Sequence, residues 1–308
     1  MIKYFDDRIV LPSPLLELEL SEVGSTVWIK RDELIHPLIS GNKWRKLQGF
    51  VNEFLHLKEP KILASMGGMH SNHLHALAYV AFKLGKACEL FVYGHSGKIP
   101  SPVLEDAKRW GAKINMVNRV EAEVLREGSE LPSDEYFWIP EGGASPLAAS
   151  GIVEMLNEMP KDFDQEENLI AVAIGSGSTA KYIYEHTKKI KLATFSPVKS
   201  NFVSKENARI IPLEEKNKIA FGAYDFDLVQ WMGNFQKSTG VLLDPIYTGR
   251  LVKALSDHLI KVDLYKKVFI LHSGGLQGWR AYSDRYPQSR KLVELTALEK
   301  LLREITIG

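Results

Sequence analysis

The stretch Ser40-Gly41-Asn42-Lys43-Trp44-Arg45-Lys46-Leu47 places one lysine at the joint between an irregular loop and a helix. Leu47, Phe50, Val51, Phe54 and Leu55 recur at the three- and four-residue spacing of an amphipathic helix, and Gly41 and Asn42 suit the cap or tight turn that would start it. Lys43 then lies in the first helical turn. A cation is disfavoured there, because the positive end of the helix dipole and the unpaired N–H groups prefer an anion. Arg45 and Lys46 add like charge nearby. All of these effects favour a neutral amine, the form that attacks a carbonyl carbon to build a Schiff base. Alone, the octapeptide also fits a solvated basic helix start, so the reading depends on what the rest of the chain brings to the lysine.

In parallel α/β sheets ligands bind at the C-terminal ends of the strands, so the strand-to-helix turns are where such partners belong. Four turns are rich in glycine and small hydroxyls. The first is Ser65-Met66-Gly67-Gly68-Met69-His70-Ser71-Asn72-His73. Ser71 and Asn72 are natural helix caps, yet a cap needs one such residue, and here glycines and histidines surround the pair. The second is Gly175-Ser176-Gly177-Ser178-Thr179-Ala180, between a strand and a helix. Its glycines let successive N–H groups converge and the helix start adds its dipole, which makes an anion cradle suited to a monophosphate. A dinucleotide reading of the same letters wants a carboxylate about 20 positions later. The chain has Phe195-Ser196-Pro197-Val198-Lys199 there, and no Gly-Lys-Ser/Thr completes a P-loop. The third and fourth turns are Leu243-Asp244-Pro245-Ile246-Tyr247-Thr248-Gly249-Arg250 and His272-Ser273-Gly274-Gly275. Either alone reads as a capped turn. His70, His73 and His75 raise the question of zinc, but His73 and His75 are not an i, i+4 pair on one helix face, and no metal is expected.

The elements that must position these turns follow from periodicity. From about residue 60 the pattern predicts a strand over 61–65, a helix over 71–84, a strand over 87–93, a helix over 102–110 and strands over 113–117 and 136–139. A helix over 146–159 leads to the polar, acidic stretch Pro160–Asn168, which reads as a linker. The alternation then restarts with a strand over 169–174, helices over 226–237 and 248–259, and a strand over 267–272. Such alternation predicts an α/β protein with two doubly wound open sheets and a cleft between them. A hydrophobic share of 45% with 25% charged residues over 308 positions is an ordinary globular balance. The 39 basic and 38 acidic residues leave a net charge of +1, which supplies no field for nucleic acid or an anionic membrane. Cys88, the single cysteine, excludes an intramolecular disulfide and reads as a packed strand residue. Met1 to Asp7 carries no apolar core of a secretory signal and no run approaches a membrane span, so a cytoplasmic protein is expected.

Taken together the motifs resemble the pyridoxal-phosphate (PLP) enzymes of the tryptophan synthase β type, fold type II, and within them the branch of D-cysteine desulfhydrase and 1-aminocyclopropane-1-carboxylate (ACC) deaminase. SGNKWRKL (40–47), GGMHSNH (67–73), PEGGASPL (140–147), GSGSTA (175–180), LDPIYTGR (243–250) and HSGG (272–275) occur in the family's order. They span nearly the whole chain, and the stretch between about 185 and 225 follows the family's pattern least. The resemblance implies pyridoxal 5'-phosphate as cofactor, a homodimer, a large cofactor-binding domain from residues 1–45 with 160–308, and a small domain over 46–159. It implies that Lys43 holds the cofactor as a Schiff base and, once released by an incoming amino acid, acts as the base at its α-carbon. Asn72 would bond the cofactor's ring hydroxyl, and Ser71 would face the substrate carboxylate or the lysine. Gly175, Ser176, Gly177, Ser178 and Thr179 would hold the phosphate. Tyr247 would project towards the substrate and Thr248 would meet the pyridine nitrogen. His73, inside the same motif as Ser71, and Tyr224, which matches a second tyrosine of the family, complete the substrate-facing set.

The cofactor is an electron sink whose ring nitrogen the protein tunes. Thr248 offers a hydroxyl, not a carboxylate, and so does not hold that nitrogen protonated. The weaker sink suits removal of an α-proton followed quickly by loss of a β leaving group. ACC deaminases carry a glutamate after the active-site tyrosine, whereas the desulfhydrases have threonine, as here. The expected reaction is therefore α,β-elimination from a small D-amino acid, D-cysteine giving pyruvate, ammonia and hydrogen sulfide. ACC deamination to 2-oxobutyrate and ammonia is the alternative. A non-catalytic PLP-binding protein is the alternative of another class; it could lose Tyr247 or Ser71, and both are present.

Overall fold

The computed structural model describes residues 8–19, 24–39, 41–59, 61–94, 101–127, 134–198, 208–262 and 264–307. Ser40 of the lysine motif, Met1 to Asp7 and residues 199–207 of the least-matching stretch lie outside them. The chain opens with β1 (Leu15–Leu18), β2 (Thr26–Lys30) and α1 (Asn42–Leu55). It continues through β3 (Ile62–Gly68), α2 (Asn72–Leu84), β4 (Cys88–Tyr93), α3 (Pro102–Arg109), β5 (Lys113–Met116), α4 (Arg119–Glu127), β6 (Tyr136–Ile139) and α5 (Ala149–Asn157). Then follow β7 (Asn168–Ala173), α6 (Ser178–His186), β8 (Lys191–Phe195), β9 (Ile210–Pro212), α7 (Phe226–Thr239), α8 (Thr248–Leu259), β10 (Lys267–Leu271), α9 (Gly278–Arg285) and α10 (Thr296–Ile307).

Two open sheets result, one ordered β1-β2-β10-β7-β8-β9 and the other β5-β4-β3-β6. β1 pairs antiparallel with β2 and the remaining pairings are parallel. β7 shows why the larger sheet is covered on both faces: all six of its residues are buried, and alternate side chains enter different cores. Ile170 and Val172 join a cluster that also holds Leu63, Leu90 and Ile139 of the smaller sheet. Leu169 and Ala171 join a second cluster with Val27, Ile29, Val268 and Ile270.

The helix α1 ties the sheets together. Trp44, Leu47, Phe50, Val51 and Phe54 are buried in the shared core, while Leu55, expected on the same face, is 41% exposed. At about 100° per residue it sits one step off the stripe. α1 crosses α5 and the turn before it so closely that a Cβ at Gly49 would lie 1.8 Å from the Leu147 carbonyl oxygen and one at Gly151 1.8 Å from that of Arg45. The division expected between residues 45 and 46 falls inside this unbroken helix. Cys88 is buried in β4, and burial, with Glu89 beside it, pushes its thiol up to about 12. Among the described residues no helix is long and apolar enough to cross a membrane, and no group of three or more His, Cys, Asp or Glu could hold a metal ion.

Candidate active site

Lys43 is the second residue of α1, and the loop after β10 fixes how that helix begins. Gly41 has φ +65°, and a Cβ on it would lie 2.0 Å from the Ser273 carbonyl oxygen, which accepts the Asn42 amide at 3.1 Å. Only glycine permits both the conformation and the approach. Lys43 then lines a small cavity with Asn42, Lys46, Gly175, Ser176, Gly177 and Thr179, so the lysine and the distant glycine turn share one site. Its Nζ donates to Asn42 Oδ1 at 2.6 Å, and Asn42 Nδ2 donates to Thr179 Oγ1 at 3.4 Å. Burial draws the amine down to about 8, and the Asp244 carboxylate offsets part of that shift.

The charges beside Lys43 are arranged differently from the sequence expectation. Arg45 turns away and is fully buried, its guanidinium donating to Asp32 Oδ1 at 2.9 Å and to Glu158 Oε1 at 2.6 Å. Burial works against this cation, yet Glu158 and Asp32 more than offset it and raise its pKa. It leaves little field at Lys43. Lys46, by contrast, enters the cavity and donates to the Gly142 carbonyl and to Ser178 Oγ, the latter at 3.1 Å. Burial first and the Lys43 charge second hold Lys46 well below its ordinary value. Two crowded amines at a helix start are a site for an anion, which would relieve both. Sequence reasoning treated Lys46 as background charge; its position three residues after Lys43, on the same face of α1, was the available signal.

The glycine turn completes the cradle. Gly177 has φ +83° and precedes α6, whose first residues Ser178 and Thr179 are buried. Ser176 Oγ and Ser178 Oγ lie 3.1 Å apart. Gly142, φ +66°, presses against this turn so closely that a Cβ on it would meet Ser176 Oγ at 2.9 Å. On the other side the Tyr247 ring lies 3.7 Å from where a Gly175 Cβ would stand.

Tyr247 and Thr248 are set by a residue that the motif contained but the sequence reading passed over. Asp244 is buried and its carboxylate accepts the amides of Ile246 at 3.1 Å, Tyr247 at 2.7 Å and Thr248 at 2.7 Å, capping α8. An aspartate four residues before a helix start was the signal for it. Burial, then Asp244 and Glu141, push the Tyr247 phenol up to about 12, so it stays a protonated donor. Thr248 Oγ1 is buried and has no hydrogen-bond partner. A buried hydroxyl without a partner is costly, and a ring nitrogen placed there would satisfy it.

Ser71 caps α2, its Oγ accepting the Leu74 amide at 3.3 Å. Asn72 faces the loop after β10, where its Oδ1 accepts from Gln277 Nε2 at 3.1 Å. His73 and Tyr224 are the other two residues expected to face a substrate. His73 is two positions beyond Ser71, about 200° round the helix, and turns inward. It is 3% exposed, its Nε2 lies 3.0 Å from Ser65 Oγ, and burial, with Lys46 and Lys43 nearby, pushes it well below its ordinary value. Tyr224 packs against the end of α9, its ring tilted at 5.4 Å from that of Tyr286 and 6.5 Å from that of Tyr282.

The chain is similar to known proteins. Residues 7–222 match the model of a family described as pyridoxal-phosphate dependent enzyme. A putative ACC deaminase of Pyrococcus horikoshii is 28% identical over 289 residues, covering 86% of this chain and 89% of the relative. A D-cysteine desulfhydrase of Salmonella newport is 26% identical over 310 residues, covering 88% and 94%. Among solved structures, an ACC deaminase homologue superposes with a TM-score of 0.72 at 23% identity, covering 92% of this chain and 95% of its own, which establishes a shared fold.

Proposed function

The chain belongs to the family of pyridoxal-phosphate-dependent enzymes, and from that premise we propose that it catalyses α,β-elimination from a small D-amino acid, D-cysteine first among them. The observation that carries this choice is Thr248: a buried hydroxyl without a partner, at the start of α8, where a carboxylate would be needed to keep a ring nitrogen protonated. Relatives are named for both reactions, the ACC deaminase as putative, so ACC deamination to 2-oxobutyrate is the second reading.

The residues present fit the cofactor. Lys46, Ser176, Ser178 and Thr179 would hold its phosphate, Asn72 its ring hydroxyl and Thr248 its ring nitrogen. When bound, pyridoxal phosphate supplies the carbonyl that captures an amine and the electron sink beside the substrate's α-carbon. Lys43, with its amine near 8, is available as a neutral nucleophile and then takes the α-proton on Nζ. Tyr247 keeps its proton and donates a hydrogen bond on the substrate side. Ser71 orients the substrate carboxylate. Burial excludes water around the amine, which keeps its pKa low.

Incubation of the purified holoprotein with D-cysteine and, separately, with ACC tests the assignment. Sulfide and pyruvate from D-cysteine are expected. 2-Oxobutyrate from ACC without sulfide from D-cysteine would reverse the ranking, and a cofactor band that neither compound perturbs would favour a non-catalytic binding protein. Sedimentation equilibrium is expected to give a homodimer.

Asp244→Asn gives a pH prediction. The carboxylate raises the Lys43 pKa against the larger effect of burial, so removing its charge should lower that pKa further. Cofactor capture by the apoprotein requires the neutral amine and should rise with pH through about 8 in the parent. In the variant this rise should move to lower pH, as followed by the growth of the visible band; a rise that stays in place would show that Asp244 exerts no field on the amine.

A further inference from the structure

Phe221 is 55% exposed, yet it does not sit on a loose segment. The backbone around it is fastened at three carbonyls: Arg250 Nη2 donates to Ile219 at 3.0 Å, the Tyr286 hydroxyl to Gly222 at 3.3 Å and the Tyr282 hydroxyl to Ala223 at 3.3 Å. Arg250 is itself held by Glu215, with Nε to Oε1 and Nη2 to Oε2 both at 2.5 Å. From this anchored loop the Phe221 ring projects edge-on against Tyr247, 6.2 Å between centroids at 65°. Tyr247 in turn packs on Gly175 of the anion cradle, so cradle, phenol and Phe221 form one row leading from the cavity to solvent. Tyr224, three residues on, faces the α9 tyrosines.

We propose that Phe221 is a specificity-determining residue, the apolar wall against which the substrate's β-substituent packs. The inference rests on the reading of Tyr247 as substrate-facing. A half-exposed aromatic ring beside the site gains most from covering by an apolar or polarisable group such as a thiol, a methyl or a ring methylene. It offers a hydroxyl or a charged side chain no hydrogen-bond partner. The anchored backbone matters because a wall that moved with each ligand would not discriminate between them. Phe221 therefore selects compact apolar side chains.

The test measures equilibrium binding of alanine and 2-aminobutyrate, as D and L forms, to the holoenzyme by the change in the cofactor's visible band. The two ligands differ by one methylene and neither carries a β leaving group. For whichever enantiomer binds, the parent should prefer 2-aminobutyrate by roughly tenfold, the lower end of what a methylene gains in an apolar pocket. Phe221→Ala should reduce that ratio to about one, and Phe221→Leu should restore most of it. Equal affinities in the parent, a ratio unchanged in Phe221→Ala, or a ratio that responds to Tyr224→Phe and not to Phe221 would overturn the proposal. Loss of the ratio in a holoenzyme that makes no oxo acid from D-cysteine or ACC would support Phe221 while refuting the elimination reading. Oxo-acid formation with an unmoved ratio would do the opposite.

Discussion

Lys43→Met should abolish turnover, by about 10³-fold or more, and remove the cofactor's visible band, because Lys46, the other amine of the cavity, is engaged by the Gly142 carbonyl and by Ser178 Oγ of the anion cradle. The same substitution should stabilise the apoprotein. The folded-state pKa of Lys43 lies near 8 against an ordinary 10.5, so between those values the unfolded chain binds more protons than the native one. Stability attributable to this group therefore rises with pH across that window, and the full cost of enclosing it applies below pH 8. At pH 7 that cost is up to about 3 kcal/mol, which a neutral side chain of similar length does not incur. Calorimetry on the two apoproteins should show the variant melting higher at pH 7 and the gap closing above pH 10. A variant that retains the band, or an apoprotein gap that is flat with pH, would remove Lys43 from the centre of the site.

The second large effect is structural. Arg45→Met should destabilise the fold by about 3–5 kcal/mol, the range for removing one partner of a buried ion pair. It leaves the Asp32 and Glu158 carboxylates without their shared guanidinium, with Lys30, 2.6 Å from Glu158, left to compensate. The Glu158 carboxyl is partly buried, but Arg45 and Lys30 hold it below its ordinary 4.5. That stabilisation is present above pH 4.5 and is lost as pH falls through the depressed value, so the gap between parent and variant should narrow on acidification. Urea unfolding at neutral and acidic pH measures it. Arg45→Met combined with Asp32→Asn should recover part of the loss, since one uncompensated charge is then gone. A gap below 1 kcal/mol would mean that the network is hydrated in solution.

These two neighbours in the sequence show where reading the chain worked and where it did not. The 3.6-residue period placed α1 and the lysine at its start, because burial of Leu47, Phe50, Val51 and Phe54 dictates the helix whatever packs against it. The same period gave α8 over the very residues expected, Thr248–Leu259. The N-terminal strand β1 and the strands β8 and β9 are too brief to separate from loop, whereas α4 and α10 carry a one-sided apolar pattern that the sequence does offer. Arg45 and Lys46 were adjacent like charges in the sequence, yet one is neutralised by Asp32 and Glu158 and the other opens into the site. Their partners lie 13 to 132 residues away, beyond any local rule.

By itself the sequence determined which groups could do chemistry: an amine at a helix start, a glycine turn shaped for phosphate, and a tyrosine and threonine ahead of a further helix. Local backbone preferences and hydrophobic periodicity fix such features wherever the chain goes. Only the tertiary structure decided that Lys43 and Gly175 share a cavity, that Asp244 aims Tyr247 and Thr248, that His73 meets Ser65 and Tyr224 packs beside Tyr286, and that Phe221 stands beside the phenol. Those outcomes depend on which strand ends meet and on how much water is excluded between them. Burial, set by residues distant in the chain, turns an ordinary lysine into one that is half neutral near pH 8.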